Sequence, residues 1–172
     1  RPARFRFPVQ WVCRPQSAGF HDFRGYAGRV ESGTVAVGDE VQHLPSGRTA
    51  RVKEIRLGER QLASAASEQS VTILLDRELD ISRGDLLVRA GEAPAPARTL
   101  DAVLCWLHER PLEAGRRYLV RHTTREAKAS LAGIAWRMDV NTLERAAASS
   151  LALNDIAWVT LKLAQPVFAD PY

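Results

Sequence analysis

Apolar and polar residues alternate with a period of two along most of this chain, and glycines cut the alternation into short pieces. The clearest stretch runs from Arg24 to Val41, R-G-Y-A-G-R-V-E-S-G-T-V-A-V-G-D-E-V. Val30, Val35, Val37 and Val41 supply the apolar spacing, and Gly25, Gly28, Gly33 and Gly38 punctuate it. Ser32-Gly33 and Gly38-Asp39 are turn signals. The pattern predicts a strand, a tight turn, a short strand, a second turn and a further strand from Glu40. Short, strongly turned strands of this kind close small barrels and so remove their edges.

The rest of the chain extends this reading. Phe5, Phe7, Val9 and Trp11 alternate with Arg4, Arg6 and Gln10, a half-buried first strand in which Pro8 marks an edge or a bulge. Residues 14–21, with Pro, Ser and Gly, read as a loop. Val41–Leu44 and Arg48–Ile55 make a hairpin about Pro45-Ser46-Gly47. Gln61–Gln69 is polar and Ala-rich and permits a helical turn, Val71–Leu75 is expected as a buried strand, and Leu86-Leu87-Val88 as the strand that closes a first barrel.

G-E-A-P-A-P-A, residues 91–97, is a semi-rigid connector. It divides the chain into residues 1–91, a linker at 92–97, and residues 98–172. In the second part Leu100, Ala102, Leu104 and Trp106 share one face and Asp101, Val103, Cys105 and Leu107 the other, which predicts a strand covered on both sides. Pro111–Gly115 reads as a turn. Residues 117–122 and 127–133 alternate about a hairpin near Thr124, and residues 157–163 alternate as a final strand. Asn141-Thr142-Leu143-Glu144 has the form of a helix-capping box and permits a short helical turn.

Composition narrows the function classes. No apolar run reaches the roughly 18 residues of a membrane helix, and no secretory apolar segment opens the chain. Residues 1–91 carry 14 Lys/Arg against 11 Asp/Glu and residues 92–172 carry 10 against 9, with the signs interspersed. Such a surface lacks the like-charge blocks of a nucleic-acid footprint. Cys13 and Cys105 match no metal or redox spacing and are expected as free, strand-borne thiols, in the core or half-buried. His21, His43, His108 and His122 form no zinc-helix pair, and no nucleophile–base–orienter set follows from residue order. No G-x-x-x-x-G-K-[S/T] phosphate loop and no N-K-x-D occur. The residues therefore indicate no catalytic, metal or cofactor site.

G-x-V-x-S-G-x-V-x-x-G-D-x-V, from Gly28 to Val41, resembles the second, β-barrel domain of translation-type GTPases such as elongation factor Tu. Five further motifs sharpen the resemblance: Arg6-Phe7-Pro8-Val9-Gln10, Asp22-Phe23-Arg24-Gly25-Tyr26, Leu44-Pro45-Ser46-Gly47, Asp80-Ile81-Ser82-Arg83-Gly84-Asp85, and Met138-Asp139-Val140-Asn141-Thr142-Leu143. In this order they resemble the GTPase subunit family of bacterial ATP sulfurylases, over nearly the whole chain. Ala66-Ser67-Glu68 departs from the family, which usually places Ala-Gly before the next strand.

The resemblance implies an all-β chain of two small barrels in tandem, like domains 2 and 3 of elongation factor Tu, the second lacking its last strands. It implies a loop at residues 61–69 and an irregular excursion at residues 141–148. It also implies a cytoplasmic regulatory role without chemistry in these barrels. GTP and magnesium would bind a G domain outside this sequence, and ATP and sulfate a separate catalytic small subunit. The partners would then be that G domain and that small subunit. Asp22, Phe23, Arg24, Tyr26 and Arg29, with Asp80 and Arg83, are the candidate contact residues, because charged and aromatic groups beside glycine turns suit an interface. Translation-factor barrels that bind tRNA, or a stand-alone binding module, are the alternatives.

Overall fold

The computed structural model describes residues 3–13 and 24–171. Those residues form two compact units. Unit 1 takes in the described residues up to 95 with 122–125 and 170–171, and unit 2 comprises residues 96–121 and 126–169. All regular structure among the described residues is β, and no helix there is long and apolar enough to cross a membrane.

Unit 1 contains β1 (Arg6–Cys13), β2 (Gly25–Arg29), β3 (Thr34–Ala36), β4 (Glu40–Leu44), β5 (Thr49–Leu57), β6 (Arg60–Leu62), β7 (Ser64–Ala66), β8 (Ser70–Leu75) and β9 (Leu86–Arg89). The hydrogen-bonded order β4-β9-β1-β2-β8-β5 returns to β4, so six strands close a barrel, with β6 added beside β5. Closure leaves few free strand edges. Phe5, Phe7, Val9, Tyr26, Ile55, Ile73 and Leu87 fill the interior, and the Phe5 and Phe7 rings stack 6.3 Å apart. Each such side chain contributes about 1.5–3 kcal/mol by leaving water.

The turns follow the glycine signals. Gly33 adopts φ +72°, and a Cβ there would lie 2.6 Å from the Ala3 carbonyl oxygen and the Phe5 nitrogen. Gly28 has ordinary torsions, but a Cβ would lie 2.4 Å from the Pro8 carbonyl oxygen, so β1 and β2 can approach only over a glycine. The hairpin at residues 45–47 closes through Gly47 N–H to the His43 carbonyl (2.7 Å) and His43 N–H to the Arg48 carbonyl (2.8 Å).

Three expectations for this half are corrected. The 61–69 stretch carries β6 and β7 rather than a helical turn or a loop, because Ala65 is buried and β7 pairs with β3. The first strand is not evenly half-buried. A bulge between Val9 and Trp11 breaks its alternation, leaving Trp11 66% exposed, while Arg6 is covered and held by Asp170 at 2.6 and 2.8 Å. The strand is paired on both sides, and Pro8, opposite Leu86 of β9, lies before the bulge rather than at an edge or within the bulge.

Unit 2 contains β10 (Pro96–Cys105), β11 (Leu112–Glu113), β12 (Arg117–His122), β13 (Arg125–Met138), β14 (Arg145–Ala146), β15 (Ser150–Leu151) and β16 (Ile156–Phe168). Its main sheet runs β10-β16-β13-β12 with β14 beside β13, and β11 pairs with β15. Leu112, Leu131, Leu151, Ala157 and Val159 form one apolar cluster, and Ala127, Ala129, Leu163 and Val167 form another. Trp106 meets Tyr118 edge-on at 5.8 Å, and the Tyr118 hydroxyl bonds the Glu113 backbone.

Two expectations fail here. β10 is covered on one side only: Leu100, Ala102 and Leu104 are half-buried, whereas Asp101, Val103 (55% exposed) and Cys105 face solvent. The capping-box segment makes no helix. Asp139 Oδ1 accepts from the N–H groups of Asn141 (2.8 Å) and Thr142 (3.1 Å), Leu143 takes φ +59°, and Arg145 pairs with Met138. These donors hold the Asp139 carboxyl below its ordinary range. Here Asp139 caps a turn that leads into β14, the irregular excursion the family pattern implies.

Candidate functional site

Four of the seven candidate residues, Arg24, Tyr26, Asp80 and Arg83, gather at the connection between β8 and β9. Leu79 and Ile81 are buried and anchor this connection, while Asp80, Ser82 and Arg83 between and after them stay exposed. Apolar residues two apart thus pin the segment and present their polar neighbours to solvent. Asp76 accepts from Arg51 N–H at one end (2.9 Å), and Asp85 accepts from Ser82 N–H at the other (2.8 Å).

Arg24 and Tyr26, alternate residues at the start of β2, reach the same loop. The Tyr26 hydroxyl donates to the Leu79 carbonyl (3.1 Å), and Arg24 Nη1 contacts Glu78 (3.3 Å) and that carbonyl (3.4 Å). Tyr26 is only 1% exposed, and burial pushes its phenol pKa up. It therefore positions the loop from the core and does not reach the surface. Arg24 is largely covered, with Nε buried and unpaired. Arg83 Nη1 donates to the Gln10 carbonyl at 3.4 Å. Arg29 lies at the other end of β2, 3.8 Å from Glu68, away from the loop. Asp22 and Phe23 fall outside the described residues.

Beside this loop lies a cavity of about 480 Å³ lined by His43, Ser46, Arg48, Asp80, Ser82 and Asp85 together with Pro45. His43, 3% exposed, bridges it: Nε2 meets Asp85 Oδ2 at 3.0 Å and Nδ1 meets Ser46 Oγ at 2.7 Å. The loop between β8 and β9 is thereby tied to the β4–β5 hairpin. Sequence reasoning passed over His43. Its signal was positional: a histidine at an inward-facing place in the Val41-Gln42-His43-Leu44 alternation must find polar partners. Among the described residues no cluster of three or more His, Cys, Asp or Glu is arranged to hold a metal ion, and both cysteines are free; Cys13 is half-buried, but Cys105, expected in the core or half-buried, is exposed because it falls on the open face of β10.

The sup35 structures complexed with GMPPNP and with GDP match 97% of the chain at TM-scores of 0.79 and 0.83 and 16% identity, covering 40% of those chains, which establishes the fold. The family model described as GTP-eEF1A C-terminal domain-like matches residues 99–172. The curated relatives matched over almost the entire chain include sulfate adenylyltransferase subunit 1 sequences. The chain is 46% identical to the subunit of Laribacter hongkongensis and 40% identical to that of Bacteroides fragilis, over 98% of its length and 34% of theirs. It is 42% identical to the bifunctional enzyme CysN/CysC of Mycobacterium tuberculosis, over 97% of its length and 28% of that protein. The chain thus spans about a third of the length of these relatives.

Proposed function

We propose that these two β units are the non-catalytic barrels of a sulfate adenylyltransferase GTPase subunit, and that they couple GTP hydrolysis in a G domain to adenylylsulfate synthesis by a catalytic small subunit in sulfate assimilation. The observation that carries the reading is 40–46% identity to subunit 1 proteins, sustained across both units. The 172 residues contain no phosphate-loop motif, so GTP with its magnesium would be held by residues outside them. ATP and sulfate would bind the small subunit, in the cytoplasm.

Within these barrels the β8–β9 connection supplies the relay surface. Asp80 and Arg83 stand exposed on a loop whose backbone is pinned by Tyr26, Leu79, Ile81 and His43. A loop held this firmly transmits a displacement rather than absorbing it, as a two-state relay requires. Arg83 offers a planar donor fork to a partner carboxylate.

Titration calorimetry of the small subunit into this chain tests the reading, with the full-length subunit as the positive control. The expected result is a measurable heat of binding that Asp80→Ala and Arg83→Ala together reduce. Absence of heat from this chain under conditions where the full-length subunit binds would sink it.

A further inference from the structure

The main sheet of unit 2 turns one face to its apolar clusters and leaves the other open. On β16 the buried residues Ala157, Val159 and Leu163 face inward, so Trp158, Thr160 and Lys162 share the outer face. Cross-strand register carries that face over three strands. Val103 and Trp136 flank Trp158, Asp101 and Gly133 flank Thr160, and Thr99 and Ser130 flank Lys162.

The chemistry of the face changes along β16. At one end Trp158 is 41% exposed, with its ring 6.3 Å from that of Trp136, and Arg145 lies 4.3 Å over Trp136. In the middle Thr160 Oγ1 donates to Asp101 Oδ1 (2.6 Å), and a Cβ at Gly133 would meet nothing within 4 Å, so the floor there is low. At the far end Lys162, Lys128 and Arg117 line a groove of about 380 Å³ with Ser130. Two of the chain's three lysines stand here, and among the described residues none of these three cations has an acidic partner.

We propose that this face binds a nucleoside polyphosphate, with its base stacked on Trp158, its ribose beside Asp101 and Thr160, and its phosphates at Lys162, Lys128 and Arg117. Trp158 and Lys162 are four residues apart on one strand, about 13 Å, the span of an extended nucleotide from base to terminal phosphates. The order of chemistries matches the order of groups in the ligand. A carboxylate in the middle row repels a phosphate and accepts from a sugar hydroxyl. A bare oxyanion would leave the indole unused, and an apolar peptide would leave three cations unpaired. Arg145 already covers Trp136, so a single ring is open, which suits one base rather than the run of stacked bases that a single strand presents. This site is independent of the coupling reading above.

The test titrates the 172-residue chain with ATP, adenosine, tripolyphosphate and a short single-stranded RNA, following tryptophan fluorescence and heat. ATP is expected to quench the fluorescence and to bind roughly tenfold or more tighter than adenosine or tripolyphosphate, each of which uses one end of the site. Trp158→Ala, and separately Lys128→Glu with Lys162→Glu, should each weaken ATP binding by roughly tenfold or more with an unchanged far-ultraviolet dichroism spectrum. Should Trp158→Ala fail to fold, the Trp158 indole N–H resonance in the unaltered chain gives the same information by shifting on addition of ATP. The proposal is overturned by an absence of ATP binding at millimolar concentration. It is equally overturned by equal affinity for ATP and tripolyphosphate, by tighter binding of RNA than of ATP, or by binding that the variants leave unchanged.

Discussion

The Tyr26 hydroxyl donates to the Leu79 carbonyl at 3.1 Å, joining two buried residues 53 positions apart and fixing the loop that carries Asp80 and Arg83. Tyr26→Phe keeps the ring and removes the donor, leaving a buried carbonyl with only the long Arg24 contact at 3.4 Å. The expected cost is about 1–3 kcal/mol, measured by urea denaturation.

The same phenol predicts a pH effect. Its folded pKa is raised by burial, above its ordinary value of 10.0. The folded state then holds the proton more tightly than the unfolded chain does, so its contribution is complete below about pH 10 and is lost as pH rises through the folded pKa. Denaturation midpoints followed from pH 9 to 11 should fall more steeply for the unaltered chain than for Tyr26→Phe.

Asp170 gives the opposite sign. The hydrogen bonds from Arg6 hold its carboxyl below its ordinary value of 3.8, against a smaller opposing effect of burial. Its stabilising contribution is present above that value and disappears as pH falls through the folded pKa. Asp170→Asn should therefore flatten stability against pH at the acid end. It should also cost about 1.5–3 kcal/mol at neutral pH, toward the lower end because the carboxylate is partly in solvent.

His43 and Asp85 should be energetically coupled. They meet at 3.0 Å across 42 residues of chain, and His43 is almost wholly buried. A double-mutant cycle of His43→Ala and Asp85→Ala is expected to return an interaction energy of about 0.5–3 kcal/mol. Additive costs would remove His43 as the tie between the hairpin and the β8–β9 loop.

Glu68 sits at φ +75° in the turn where the family pattern has Ala-Gly. Its neighbours keep the turn, with Gln69 N–H donating to the Ala66 carbonyl at 3.2 Å. A non-glycine residue in this region costs about 1–2 kcal/mol. Glu68→Gly should thus raise the thermal midpoint, with the gain cut below that figure by the greater freedom of glycine in the unfolded chain. Gly28→Ala should do the reverse, since its added Cβ would press on the Pro8 backbone.

The alternation of Phe5, Phe7 and Val9, of Val41 and His43, and of Ala157, Val159 and Leu163 made the strands legible, because a period of two is a local property of the backbone. Gly33 and Gly38 announced their turns for the same reason, and the family resemblance stood on those spacings. Other features depend on which strands become neighbours. The bulge that exposes Trp11, the burial of Arg6 against Asp170 and the bridge from His43 to Asp85 join residues remote in sequence. The open outer face of β10, with Trp158, Asp101 and Lys162 set in successive rows, likewise arises from the register of three strands. Residue order established which side chains alternate; only the closed barrel and the paired sheets decided which of them meet, because a cross-strand contact depends on pairing that no short window of sequence contains.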